Sequence, residues 1–346
     1  MRKLLAVAAF VIFFGVSAAV AGAAGDVLLT PGGTLFQAQA VDDEKYQLAP
    51  GDSAIQLRVQ RDGEVETYLV PASNEGGNNG NPALAWDEET ESLFLFWVRA
   101  PHLTTSELRF CSFRDGKFSE ATTVDQSLFR FRTNLRIAVT RSARVEREDD
   151  DEDEGPASIP ALAIHAVWWD SSSRGEGVRY AMLAITNGEA RVVEVRDVID
   201  YLGTARNSEP LILGEDFNRH LLRYPSVSTN PAGDSIDIVF ADWQTSRLNR
   251  VEIISVSSGG VLKPPVGISH GEIGAPVLES VSSTSTVATI ARNGKADIVL
   301  YQVQDGRVQY FHFDGTKWRP SKFIALDDVI TEADAVTALK RLVEER

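Results

Sequence analysis

The chain has 346 residues, 43% of them hydrophobic and 24% charged, with a formal net charge of −15. That length suits one large all-β domain or two average domains, either with a sizeable core. The acidic balance argues against nucleic acid and anionic lipid surfaces as partners, and a lone cysteine, Cys111, excludes an intramolecular disulfide.

Arg2 and Lys3 precede an apolar stretch from Leu4 to Val16, and small residues follow. Ala19-Val20-Ala21 and Ala21-Gly22-Ala23 both fit the small-x-small cleavage rule. The stretch 1–24 therefore reads as a secretory signal peptide, cut after Ala21, Ala23 or Ala24. Export would place the mature chain in the periplasm or outside the cell. An uncleaved anchor is the alternative, because the stretch approaches the ~20 apolar residues of a spanning helix. No later stretch is long and apolar enough to cross a membrane. Loss of Arg2 and Lys3 takes the charge from −15 to −17.

Val27 to Tyr46 reads as irregular, with Pro31-Gly32-Gly33 as a turn. Ser53 to Gln60 and Glu64 to Val70 read as strands joined at Asp62-Gly63, since both positions of a tight hairpin turn favour φ > 0. The loop 73–81 is full of turn formers. Pro82–Trp86, Ser92–Val98, Glu107–Phe113 and Phe118–Val124 make the next four strands, with a turn at Asp115-Gly116. The run Leu93 to Val98 is apolar on both alternating faces, so both sides of its sheet are expected to be covered. Cys111 lies in a similar run and reads as a small core residue.

Leu135 to Thr140 opens a third unit. Glu146 to Glu154 then holds eight acids and one arginine, net −7. Such a block repels itself, so 143–158 is expected to be a disordered loop. A calcium loop fits poorly: Glu154 stands where glycine is needed and Pro160 where the bidentate glutamate is needed. Ala161 to Val195 follows as three antiparallel strands, separated by a Ser/Gly-rich loop and the Asn187-Gly188 turn. A long connection, 200–224, leads to strands at Ser226–Thr229, Ile236–Ala241 and Val251–Val256, then a Gly259-Gly260 turn. The fifth unit, Pro276 to Ile324, has turns at Asn293-Gly294, Asp305-Gly306 and Asp314-Gly315, one more than the pattern needs. Val336, Leu339, Leu342 and Val343 form one helical stripe, so 327–346 reads as a C-terminal helix.

Gly63, Gly116, Gly188, Gly260 and Gly306 mark hairpin turns at intervals of 53, 72, 72 and 46 residues. Without the acidic loop and the long connection the period is near 50, with four strands per repeat. The expectation is an all-β chain: a β-propeller of five or six four-stranded blades over 25–326, followed by the short helix. A β-sandwich is the alternative, and it leaves the recurrence unexplained.

HAVWWDSSSRGEGVRYAML, from His165 to Leu183, resembles the blade pattern of sialidase-like propellers: an apolar strand ending in an aromatic pair and Asp, a short polar loop, then a strand with Arg and Tyr. The pattern recurs loosely around Trp97 and Trp243. The family's Asp box is absent, so the resemblance implies the architecture and no catalytic residues.

In such a meander the loops between second and third strands share one end with the connections between sheets. Eight arginines and eight acids fall in those loops, expected at 73–81, 99–106, 125–134, 170–177, 201–224, 243–248 and 268–275, a net charge of 0 against −17 for the mature chain. Arginine suits bidentate contacts to carboxylate or phosphate. His102, His220 and His270 fall there too. Trp97, Trp169 and Trp243 end the second strands, where they would stack on sugars or pack between sheets. Asp170 and Asp242 are candidate acid/base carboxylates, or caps of turns. The candidate ligand-binding set is Trp97, Arg99, Trp169, Asp170, Arg174, Asp242, Trp243 and Arg247. No catalytic or metal residue and no cofactor is assigned, because no metal, nucleophile-elbow or phosphate-loop motif occurs. The expectation is an exported, non-catalytic protein binding a glycan or protein partner. The alternatives are a divergent sialidase-like or glycosidase-like hydrolase using Asp170 and Asp242, and a scaffold subunit of a cell-envelope assembly docking through its C-terminal helix.

Overall fold

A computed structural model describes residues 26–42, 46–102, 104–128, 130–141, 162–172, 175–186, 189–198, 222–229, 235–242, 247–254, 257–258, 261–262, 266–274, 285–292, 295–304, 307–313 and 317–325. The expected signal peptide 1–24, acidic loop 143–158 and helix 327–346 lie outside them. The described residues are all-β, and the strands follow one another as antiparallel meanders.

The first sheet is β1 (Asp26–Leu29), β2 (Leu35–Val41), β3 (Ala54–Arg61) and β4 (Glu64–Leu69), in that order. Its first half corrects the expectation that Val27 to Tyr46 is irregular. β1 has only four residues, and in β2 the buried Phe36 and Ala38 alternate with Gln37 and Gln39, which dilutes the apolar signal. The second sheet is β5 (Asn78–Asp87), β6 (Ser92–His102), β7 (Thr105–Arg114), β8 (Lys117–Phe118) and β9 (Thr122–Leu128), with β8 and β9 both pairing with β7. Asp62-Gly63 and Asp115-Gly116 have positive φ at both positions (52° and 82°, 50° and 74°), the twist that suits a two-residue hairpin.

The third sheet is β10 (Arg130–Arg141), β11 (Leu162–Ser172), β12 (Gly175–Thr186) and β13 (Glu189–Asp197). The fourth is β14 (Leu222–Thr229), β15 (Ser235–Asp242), β16 (Arg247–Ile254) and β19 (Val266–Gly274). A small hairpin, β17 (Ser257–Ser258) with β18 (Val261–Leu262), interrupts it, so Gly259-Gly260 belongs to an inserted element rather than to the sheet itself. The fifth is β20 (Ser285–Arg292), β21 (Lys295–Gln304), β22 (Arg307–Phe313) and β23 (Trp318–Ala325). Its three turn signals are the number a four-stranded meander needs. Asp305-Gly306 joins the second and third strands there, and Asp314-Gly315 joins the third and fourth. The marker that matches Gly63 and Gly116 is therefore Gly315, not Gly306.

Several expected loops are strand: 78–81 in β5, 99–102 in β6, most of 125–134 in β9 and β10, and 268–274 in β19. Their polar residues sit in ladders, because the backbone there is paired whatever the side chains.

The chain divides into two compact units. One holds the first two sheets, apart from Ala85–Asp87. Leu93, Leu95, Phe96 and Trp97 are completely enclosed, so β6 is covered on both faces. Phe36 and Tyr68 meet Phe113 edge-on, with ring centroids 6.3 and 5.0 Å apart, and Cys111 is fully buried beside them in β7. The other unit holds the remaining sheets. There, Ala163, Val167, Tyr180 and Met182 of the third sheet form one core with Val227, Ile236, Ile238 and Phe240 of the fourth. The Thr229 hydroxyl donates to the Val139 carbonyl across this joint at 2.7 Å. Arg141 donates to both oxygens of Asp87 at 2.9 and 2.7 Å, and Arg250 Nε donates to the buried Asp237 at 2.6 Å.

Candidate functional site

Trp97 and Arg99 stand two residues apart on β6 and share one face by strand alternation. Trp97 is fully buried, and its Nε1–H donates to Asn79 Oδ1 at 3.0 Å. Asn79 is also fully buried, and its Nδ2 donates to the carbonyls of Ser53 at 2.6 Å and Ser73 at 2.8 Å. Arg99 donates from Nε to the Gly76 carbonyl, from Nη2 to the Glu75 carbonyl, and from Nη1 to Glu107, each at 3.2–3.3 Å. Glu107 takes a second guanidinium, Arg109, at 3.2 Å. The stretch 73–79 is thus braced from β6. These two candidates hold the connection between the first two sheets and present no stacking face.

The third sheet arranges its candidates differently. The pair Ser172↔Gly175 closes the β11–β12 hairpin, and this register sets Trp168 opposite Arg179 and Asp170 opposite Gly177. Across β10, Asp170 faces Arg132. Trp168, Arg179 and Asp197 therefore form one lateral row over three strands, and Arg132 reaches Trp168 diagonally from its place opposite Asp170. The guanidinium carbons of Arg132 and Arg179 lie 5.6 and 5.9 Å from the Trp168 ring centroid, within cation–π range. Arg179 Nε lies 3.3 Å from Asp197, and its Nη1 lies 3.9 Å from Asp170. Trp168 is fully buried, with Arg132 and Asp170 nearly so. Two guanidinium groups and two carboxylates compensate one another, which is what keeps charge stable in so enclosed a place.

Trp169 points to the opposite face, the one it shares with Val167. It remains partly exposed, three residues before the end of β11. Of the two tryptophans described in the candidate set, it is the one with accessible surface. Asp242 and Arg247 are register partners closing the β15–β16 hairpin, the positions corresponding to the end of β11 and the start of β12 one sheet earlier. Arg174, Trp243 and His220 lie outside the described residues. His102 ends β6 and is exposed, and the backbone of His270 and Glu272 runs within β19. Among the described residues no three His, Cys, Asp or Glu side chains gather where they could hold a metal ion.

Sequence reasoning singled out Trp169 and Asp170 but missed Trp168 and Arg179, and it took Arg132 only as one loop arginine among eight. The signal was available: with the hairpin closed at Ser172 and Gly175, positions 168 and 179 fall opposite each other. A short Ser/Gly-rich turn was read as a longer loop, which hid that register.

No protein-family description matches the chain, and no curated protein matches it. Solved structures similar to it include a triple mutant of AofleA from Arthrobotrys oligospora, 12% identical over 88% of this chain and 74% of the other, with a TM-score of 0.44. The fucose-specific lectin from Aleuria aurantia is 13% identical over 88% and 78%, with a TM-score of 0.43. A mutant of NanB sialidase from Streptococcus pneumoniae is 8% identical over 87% and 60%, with a TM-score of 0.38. With identities of 13% or less and TM-scores below 0.5, these proteins lend none of their residues or ligands to this chain.

Proposed function

We propose that the five large sheets are the blades of a β-propeller, and that the exported protein binds a glycan, without turnover, through the ends of the second and third strands in the third and fourth sheets. The observation that supports this most is the contrast between two tryptophans of second strands, Trp97 in the middle of β6 and Trp169 three residues before the end of β11, both expected from sequence to end their strands. Trp97 is completely enclosed, whereas Trp169 is partly exposed, with its indole Nε1 buried. A partly exposed indole on a rigid strand end is a stacking platform for the apolar face of a sugar ring, at small entropic cost. Arg174 and Trp243, which follow β11 and β15 in the chain and lie outside the described residues, are the residues we assign to complete the contact. The Trp168–Arg179–Asp197 row, with Arg132 over the Trp168 ring, braces this part of β11 from its other face.

The non-catalytic part of the reading rests on Asp170. A working glycosidase needs two carboxylates about 5–10 Å apart, flanking the scissile bond and reaching it. Asp170 is almost completely buried and faces Arg179, so it is a poor acid or base for an external substrate. The test is an array of neutral and acidic glycans probed with the purified protein, with product analysis on every glycan that binds. Saturable binding without cleavage is the expected result. Cleavage of a bound glycan would favour the hydrolase, and no binding to any glycan would favour a protein partner.

A further inference from the structure

At the joint between the third and fourth sheets one titratable side chain is sealed in apolar surroundings. His165 on β11 is completely buried. Its Nδ1 lies 2.7 Å from the Tyr180 hydroxyl on β12, and its Nε2 lies 2.8 Å from the Thr140 hydroxyl on β10. A neutral imidazole has one donor and one acceptor, and two hydroxyls that rotate freely satisfy both. The chain Thr140–His165–Tyr180 thus ties three strands together on the face that packs against β14 and β15.

We propose that this hydroxyl–imidazole–hydroxyl chain is an acid-sensitive latch, which ties β10, β11 and β12 together under the fourth sheet near neutrality and loosens that packed joint in acid.

The surroundings decide the sign. On its own face His165 meets Ala163, Val167 and Met182, while β14 and β15 bring Val227, Ile236, Ile238 and Phe240 to the same core. Asp237 is on the opposite face of β15 from Ile236 and Ile238 by alternation, engaged with Arg250. Among the described residues, the charged groups on the His165 side are Arg136 of β10 and Arg191, Glu194 and Arg196 of β13, the last two 2.8 Å apart and paired with each other. Burial holds the Tyr180 phenol well above its ordinary range, so it stays neutral and supplies no countercharge. A proton on His165 would put a cation among aliphatic and aromatic side chains, and burial lowers its pKa from 6.5 to about 3. Below pH 6.5 an opened joint takes up a proton that the closed joint refuses. The closed form therefore loses up to ~10-fold in population per pH unit, down to about pH 3. Burial raises the Glu194 carboxyl, against the pull of Arg196. Glu194 therefore works in the opposite direction, favouring the closed form as pH falls, and His165 is the group that drives release.

Native-state hydrogen exchange, corrected for intrinsic rates, measures this in the intact protein. His165→Gln keeps a neutral donor and acceptor. Between pH 7 and pH 4.5 the closed-to-open ratio read on β11, β12 and β15 amides should fall about 100-fold further in the wild type than in His165→Gln. An equal fall in both proteins would overturn the latch, as would wild-type protection lost equally in β6 and β7, since release would then not be local. If His165→Gln does not fold, ring-nitrogen NMR of the wild type decides. The folded protein should hold a neutral His165 at pH 5, and a ring titrating near 6.5 would refute the proposal.

Discussion

Replacing Asn79 with alanine tests the claim that Trp97 is an anchor. Asn79 is fully buried, and its side chain serves the Trp97 Nε1–H and the carbonyls of Ser53, Ser73 and Gly77. Alanine leaves the indole N–H and the Ser73 carbonyl without that partner in a place water does not reach. Each buried group so orphaned costs ~1–3 kcal/mol, so the two together cost about 4 kcal/mol. The backbone N–H of residue 79 keeps its 2.7 Å bond to Ser53 Oγ, so the connection is loosened rather than abolished. A loss of that size is a large fraction of a typical domain's stability and should be plain in urea unfolding. Trp97→Phe removes the other half of the pair, and a double-mutant cycle should return a coupling of about 1 kcal/mol. A loss below ~1 kcal/mol for Asn79→Ala, or no coupling to Trp97, would refute the reasoning.

Two further outcomes follow from the same sheets. Gly77 has φ +87°, and a Cβ there would stand 2.6 Å from both the Ala100 carbonyl oxygen and Pro101 Cα, whereas Gly63 (φ +82°) has open space. Gly77→Ala should therefore lower the melting temperature clearly more than Gly63→Ala, whose cost is backbone strain alone, about 1 kcal/mol; equal losses would contradict the close approach. Cys111 is fully enclosed, and burial pushes its thiol pKa up against a smaller opposing pull from Arg109. The native protein should resist thiol-specific reagents at pH 8 and react only after unfolding, and rapid native labelling would show that the β7 core is open.

Much of the architecture was legible because strands advertise themselves through alternation and turn chemistry. Asp62-Gly63, Asp115-Gly116 and Asn187-Gly188 each announced the last hairpin of a sheet. What failed to show was polar strand. Asn78 to Asn81 and Leu35 to Val41 carry amides where an apolar pattern would be looked for, yet their backbones are paired in β5 and β2. The fifth sheet was misread for the converse reason: it has a turn signal at every connection, so composition alone did not identify the matching one.

The candidate site was less legible than the fold. Trp97 and Trp169 look alike in sequence, each closing an apolar run before a polar one. What separates them is Asn79, eighteen residues away on a neighbouring strand, which receives the Trp97 indole. Arg132 and Arg179 were hidden in the same way, since only the register of β10 and β12 on β11 sets them beside Trp168. Long-range pairing decided which side chains were completely enclosed and which stayed partly exposed.

The most direct test is the affinity of the purified protein for a glycan found on the array, measured by titration calorimetry for wild type, Trp169→Ala, Trp243→Ala and Arg174→Ala. Trp97→Phe serves as the enclosed control. The account predicts that the Trp169→Ala protein keeps its fold and loses at least ~10-fold in affinity, with Trp243→Ala and Arg174→Ala weakened as well and Trp97→Phe binding like wild type. Undiminished binding in all three variants, or a loss confined to Trp97→Phe, would contradict a glycan site at the strand ends of the third and fourth sheets.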